Sequence, residues 1–371
     1  LWVCLSESLS KEALTKLQKK ADLISGWMET KGVELNGYLV FQNQFKTNSN
    51  KQLGKDSCGN TQNYLLLDEF YRTAVWLCGR QPLWWLIPPD EDHERYADHL
   101  ISEKRLERWD WIDFGGIREI PAAEYFSSAL WQLYKAIESP YKSSVKLLIL
   151  EIYARYFPQV ELLSSRYKRL VHSGEKDINQ LDPYFLILGY AEDFLKKQPQ
   201  RLEFLRRAFY LKSGVKISLA KKHHRNWRYQ EIRKLVERWG WKQNRLDYLN
   251  NRINWQINSV LKERTDLVRQ LTHSYHFISN FARVQGVLNQ VNQIELISLG
   301  RMLYATFERR IGKIDCVNSG IVKDLVEPSV TILQKQSDWK LYLGTVSFEK
   351  IVIHHAVYIA ESFFSILAWC V

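Results

Sequence analysis

Apolar residues recur every three or four positions through most of the chain, and the clearest case lies between Glu124 and Lys142. There Phe126, Leu130, Leu133 and Ile137 form one stripe, which predicts a helix. Lys135 and Glu138 lie three apart on that helix and can pair across its surface. Ser139-Pro140 then offers an N-cap and a residue suited to the first helical position. A second helix is therefore expected from there to about Phe157. Upstream, Ser10 can cap a helix over 11–31, with Leu14, Leu17, Ala21, Leu23, Ile24 and Trp27 on or near one face and Gly32 as its stop. Leu1 to Cys4 and Val33 to Phe41 read as strands on either side of it. A polar loop is expected over 46–60, then a helix capped by Asn60 or Thr61 and ended by Gly79.

The helical period continues to about Arg310, with breaks at Pro82, Pro88-Pro89, Gly115-Gly116, Pro158, Gly174, Asp182-Pro183, Gly240 and Gly286. Beyond Gly312 the texture changes. KIDCV, SVTILQ and WKLYLG are short β-prone runs between polar turns, which predicts a small meander. Phe348 to Cys370 reads as helix again. The pattern predicts an α+β protein, mostly α, in three parts: a strand–helix–strand unit over 1–47, a helical domain over 60–310, and a β meander with a closing helix over 311–371.

A hydrophobic content of 46% is ample for a buried core in 371 residues. The net charge of +11 fits an anionic partner such as a nucleotide, a nucleic acid or a membrane surface. Five cysteines, an odd number with no CxxC pair, read as reduced, mostly buried thiols of a cytoplasmic protein with no zinc site. The longest apolar run, Ala356 to Val371, is interrupted by Glu361 and Ser362 and is too short for a transmembrane segment. The chain opens on Leu1 without Met and stops within that run, so it reads as a piece cut at both ends.

Several residues could carry chemistry. Lys142 falls in the first turn of the second helix, where a cation has the wrong sign for the helix dipole. With Lys135 nearby, that helix start suits a bound phosphate, and equally two lysines on a solvated hairpin. Asp68 and Arg72 are four apart on a helix and can form a surface pair, or Arg72 can clamp a phosphate bidentately. Asp110 and Asp113 flank a glycine turn without a spacing that fixes a metal site. His223-His224 lies in the basic run KKHHRNWR and lacks further ligands at helical spacing. Residues 216–245 interleave basic side chains with Trp227, Trp239 and Trp241, the footprint of a nucleic-acid surface. Trp239 and Trp241 also flank Gly240 at a helix end, which suits core packing.

The stretch EYFSSALWQLYKAIESPYK, from Glu124 to Lys142, resembles the central signature block of the class I adenylate cyclases. Other blocks follow in the same order: Leu1-Trp2-Val3-Cys4, DSCGNTQNYLLLDEFYRTAVWLCGR from Asp56 to Arg80, YLNNRINWQIN from Tyr248 to Asn258, and LYATFE with GKIDCVN between Leu303 and Asn318. The resemblance implies conversion of ATP to cyclic AMP and pyrophosphate. It also implies a partial polymerase-β-like nucleotidyltransferase core at the N-terminus, with Mg²⁺ or Mn²⁺ as cofactor and no nucleic-acid partner. In that family an Asp-x-Asp pair sits immediately before the position of Leu1, and a Gly-Ser phosphate loop lies further upstream. Both would be missing here, as would the C-terminal regulatory region, so the chain alone is expected to be nearly inactive. Glu34 matches the family's third metal-binding carboxylate, and Trp2 matches a tryptophan implicated in substrate handling. Arg72, Lys135 and Lys142 are then the candidates for neutralising the phosphates of ATP. The alternative from composition is a basic helical protein that binds nucleic acid or acts as a scaffold without catalysis.

Overall fold

The computed structural model describes residues 2–5, 9–46, 63–103, 111–117, 119–219, 226–287, 320–322, 325, 327–351 and 353–370, with 297, 300–302 and 305. The chain divides into two compact units. The first comprises 1–131, 150–190 and 278–291, and the second 132–149, 191–277 and 292–371. The described residues are mostly helical, with three small sheets, so the α+β class with helix dominant holds.

The first unit opens with β1 (Trp2–Leu5), α1 (Lys11–Glu29) and β2 (Tyr38–Phe41), with β2 parallel to β1 and Trp2 opposite Tyr38. Ser10 caps α1 as its sequence predicts, its hydroxyl accepting from the Ala13 N–H at 3.2 Å. Gly32 follows with φ of +74°, a left-handed stop that favours glycine. The second strand is shorter than Val33 to Phe41. Asn36-Gly37 interrupts it, and a Cβ on Gly37 would come within 3.3 Å of Ala21 on α1. Close backbone approach to the helix thus replaces pairing at that end, and Glu34 lies outside the ladder.

From β2 the chain turns into α2 (Gln42–Lys46) and, further on, α3 (Asn63–Thr73). The latter stops six residues before Gly79, where the sequence places its end. Beyond Thr73 the Trp76 indole N–H donates to the Gly79 carbonyl at 3.1 Å and closes a turn instead. Short strands β3 (Gln81–Pro82) and β4 (Trp111–Ile112) pair in parallel, separated by α4 (His93–Ser102). Val40, Phe45, Leu67, Tyr71, Trp84, Ile112 and Phe114 form one buried cluster, which fixes β2, α2 and α3 against the loop after β4.

The hairpin read at Ser139-Pro140 is present as α5 (Ala122–Lys135) and α6 (Pro140–Tyr156). Helices α7 (Leu163–His172), α8 (Ile178–Leu181), α9 (Pro183–Leu195), α10 (Pro199–Ser213), α11 (Trp227–Arg238), α12 (Gln243–Asn250) and α13 (Ile257–Val284) follow. In the second unit, β5 (Val330–Lys335) and β6 (Asp338–Leu343) form the expected antiparallel hairpin. The segment after it is not one helix. Tyr358–Ala360 adds β7 to β6, because Tyr358 and Ala360 face the core while Ile359 faces outward, a period of two. A single 3-10 turn covers Phe348–Lys350, and α-helix returns at Phe363–Cys370. The KIDCV run lies outside the described residues.

Candidate functional site

In the first unit, two helix starts are held by buried acids. The first-turn amides of α3 have no partners within the helix. The Glu124 carboxylate accepts from Tyr64 N–H at 3.0 Å and from Leu65 N–H at 3.1 Å. Burial pushes its pKa up to about 7, and the backbone N–H groups at Leu65, Tyr64 and Asn63 only partly oppose this. At α7, Ser164 N–H donates to Asp68 Oδ1 at 2.9 Å and Leu163 N–H donates to the Tyr153 hydroxyl at 2.8 Å. Tyr153 in turn donates to Asp68 Oδ2 at 2.9 Å. Burial and then the Asp68 charge hold the Tyr153 phenol well above its ordinary pKa, so it stays a donor.

Asp68 and Arg72 do not form a surface pair. Both are buried, and Arg72 Nε stands 3.7 Å from Asp68 Oδ2, too far for a hydrogen bond. Nε and Nη1 of Arg72 are buried without a hydrogen-bond partner. Near them Trp84 stacks on Tyr71 with ring centres 4.3 Å apart, and the Lys168 ammonium lies 4.2 Å from the Trp84 ring centre. Burial lowers the Lys168 pKa to about 8. A second, part-buried pair joins His93 Nε2 to Asp113 Oδ1 at 2.7 Å, and Asp113 also accepts from Gly115 N–H.

Trp2 opens β1. Glu34 is exposed, four residues before β2, and accepts from Asn36 Nδ2 at 3.3 Å. Lys135, half-buried, ends α5 with its ammonium 5.6 Å from the Tyr134 ring centre, and Lys142 is exposed in the first turn of α6. Both lysines fall in the second unit, whereas Trp2, Glu34 and Arg72 fall in the first. Trp239 and Trp241 are buried, with the Trp239 indole N–H donating to Glu192 at 2.8 Å, so they serve packing rather than an open surface. Asp110, His223 and His224 lie outside the described residues.

Sequence reasoning missed Glu124, Tyr153, Ser164 and Lys168. Glu124 opens the signature stretch but acts on a helix sixty residues away. Lys168 sits in the polar run SRYKR and carries no local sign of burial. Among the described residues no three His, Cys, Asp or Glu side chains gather where they could hold a metal ion. Glu34 alone is fewer carboxylates than a divalent cation needs, so the described residues do not fit Mg²⁺ or Mn²⁺. No described helix is long and apolar enough to cross a membrane.

Two family models match the chain: "Adenylate cyclase NT domain" over residues 1–85 and "Adenylate cyclase, class-I, second domain" over residues 120–318. The adenylate cyclases of Salmonella typhimurium and Escherichia coli K12 are each 37% identical over 380 residues, covering 100% of this chain and 45% of the relative. That of Proteus mirabilis is 35% identical over 381 residues, with 100% and 44% covered. The chain thus spans a little under half the length of these relatives. No solved structure matches it.

Proposed function

The chain belongs to the class-I adenylate cyclase family, and from that premise we propose that the protein carrying it converts ATP to 3′,5′-cyclic AMP and pyrophosphate. The observation that supports this most is the order of the two family matches, which together reach from residue 1 to residue 318. In the proposed reaction the ribose 3′-hydroxyl attacks the α-phosphorus of the same ATP. The new O3′–P bond forms as the bond to the bridging oxygen breaks, pyrophosphate leaves, and the hydroxyl proton is lost. Such a displacement needs positioning and charge neutralisation rather than a covalent intermediate.

The β1–α1–β2 unit is read as part of a polymerase-β-like nucleotidyltransferase core, and the protein as cytoplasmic. Arg72, Lys135 and Lys142 are each proposed to meet phosphate charge, Trp2 to line the adenine pocket, and Glu34 to take part as a carboxylate. The test is the product spectrum of the complete protein that carries this chain. Equal amounts of cyclic AMP and pyrophosphate support the proposal. ADP or AMP without cyclic product, or no turnover together with steeply salt-dependent nucleic-acid binding, overturns it.

A further inference from the structure

Arg72 poses a question that its pairing with Asp68 does not answer. Its side chain is 7% exposed, and two of its guanidinium nitrogens are buried with nothing to bond. Burying such a cation is costly unless an anion meets it. Asp68 cannot do so fully. Its Oδ1 is taken by Ser164 N–H, its Oδ2 by the Tyr153 hydroxyl, and Arg72 Nε remains at 3.7 Å.

A second buried cation, Lys168, lies on α7, the helix that packs against α3. The Asp68–Ser164 contact aligns α3 with α7 at one level. One turn further along each helix come Arg72 and Lys168, each four residues on. The two helices run the same way here. His172, at the end of α7, lies 3.3 Å from the Trp85 carbonyl, and the Trp85 indole N–H donates to the Tyr71 carbonyl near the end of α3 at 3.2 Å. Lys168 is as buried as Arg72, and among the described residues no carboxylate pairs with it. It rests on the face of Trp84, which stacks on the residue preceding Arg72. The Ser164 hydroxyl, one turn before Lys168 on α7, is also buried without a partner.

We propose that α3 and α7 frame a site for one phosphate-type oxyanion, gripped by the Arg72 guanidinium, the Lys168 ammonium and the Ser164 hydroxyl. Guanidinium, ammonium and hydroxyl are donors that suit phosphate oxygens, and one carboxylate among two cations leaves the cluster net positive. The lowered pKa of Lys168 is what an ammonium shows when its anion is not there to offset burial. The proposal extends the phosphate role of Arg72, and it rests on the cyclase reading only for which phosphate is bound. The oxyanion belongs either to a nucleotide or pyrophosphate chain or to free inorganic phosphate.

The test is isothermal titration of the 371-residue chain with pyrophosphate, ATP and inorganic phosphate at constant ionic strength. The parent is compared with Lys168→Met, Arg72→Met and, as control, Arg169→Gln, whose exposed side chain pairs with Glu161. Saturable binding is expected, weakened about tenfold or more by Lys168→Met and Arg72→Met and unchanged by Arg169→Gln. Tighter binding of pyrophosphate and ATP than of phosphate assigns the site to polyphosphate chains, and equal binding assigns it to a single phosphate. Acylation of Lys168 in the parent, read by mass spectrometry, should slow when pyrophosphate is added, and this needs no variant to fold. No saturable binding, equal affinity in Lys168→Met, or protection of Lys168 by chloride as strong as by pyrophosphate overturns the proposal. None of these readouts requires turnover, so a site that binds pyrophosphate in a protein that makes no cyclic AMP would refute the cyclase reading alone.

Discussion

Glu124→Gln tests the buried cap of α3. In the folded protein the carboxyl titrates at about 7 against an ordinary 4.5. A group whose folded pKa is raised contributes stability that is complete below 4.5 and is lost as pH climbs through about 7. Between pH 5 and pH 8 this amounts to about 2–3 kcal/mol. Glutamine keeps the size and one carbonyl acceptor for Tyr64 and Leu65 but does not ionise. The opening free energy of α3, taken from amide hydrogen exchange corrected for intrinsic rates, is the direct readout, because the chain has two units and a whole-chain transition would mix them. The parent should lose about 2–3 kcal/mol of α3 stability relative to Glu124→Gln as pH rises from 5 to 8. Glu124→Ala should cost about 2–4 kcal/mol throughout, since two first-turn amides lose their acceptor. Parallel pH profiles for parent and Glu124→Gln would refute both the raised pKa and its link to α3.

Other substitutions probe packing, pairing and phosphate contact. Gly116→Ala would bring a Cβ within 2.6 Å of His93 Cβ, so it should cost about 1–3 kcal/mol in urea unfolding and disturb the His93–Asp113 pair. Arg207→Met leaves the buried Glu263 without its 3.0 Å partner and should cost about 3–5 kcal/mol, most of it regained by the double variant Arg207→Met/Glu263→Leu. In the complete protein that carries this chain, Lys142→Ala should reduce kcat/KM for ATP by a factor equivalent to roughly 1.5–3 kcal/mol, and unchanged kinetics would leave it as a solvated lysine.

Local signals were legible where the determining residues are neighbours in sequence. The Ser10 cap, the Pro140 helix start and the β5–β6 hairpin all depend on residues within a few positions of one another. The strand at Tyr358–Ala360 was hidden because three residues with flanking serines and histidines give too short a period to separate from helix. The buried acids show the wider limit. Asp68 looks like the first half of a surface pair, yet its partners come from Tyr153 and Ser164, eighty-five and ninety-six residues on. Glu124 looks like an ordinary first-turn acid of its own helix, while it caps another. Lys168 reads as one of several charged residues on a short amphipathic helix, yet it is buried, with its ammonium on the face of Trp84, eighty-four residues away.

The proposed reaction is direct attack of the ATP 3′-hydroxyl on its own α-phosphorus. The measurement closest to it uses ATP with sulfur replacing one non-bridging α-oxygen, as a single diastereomer, given to the complete protein that carries this chain. The account predicts one cyclic phosphorothioate of inverted configuration at phosphorus and one pyrophosphate per turnover, because a single in-line displacement inverts the centre. Retention, which requires two displacements and a covalent enzyme intermediate, or the absence of any cyclic product, would contradict it.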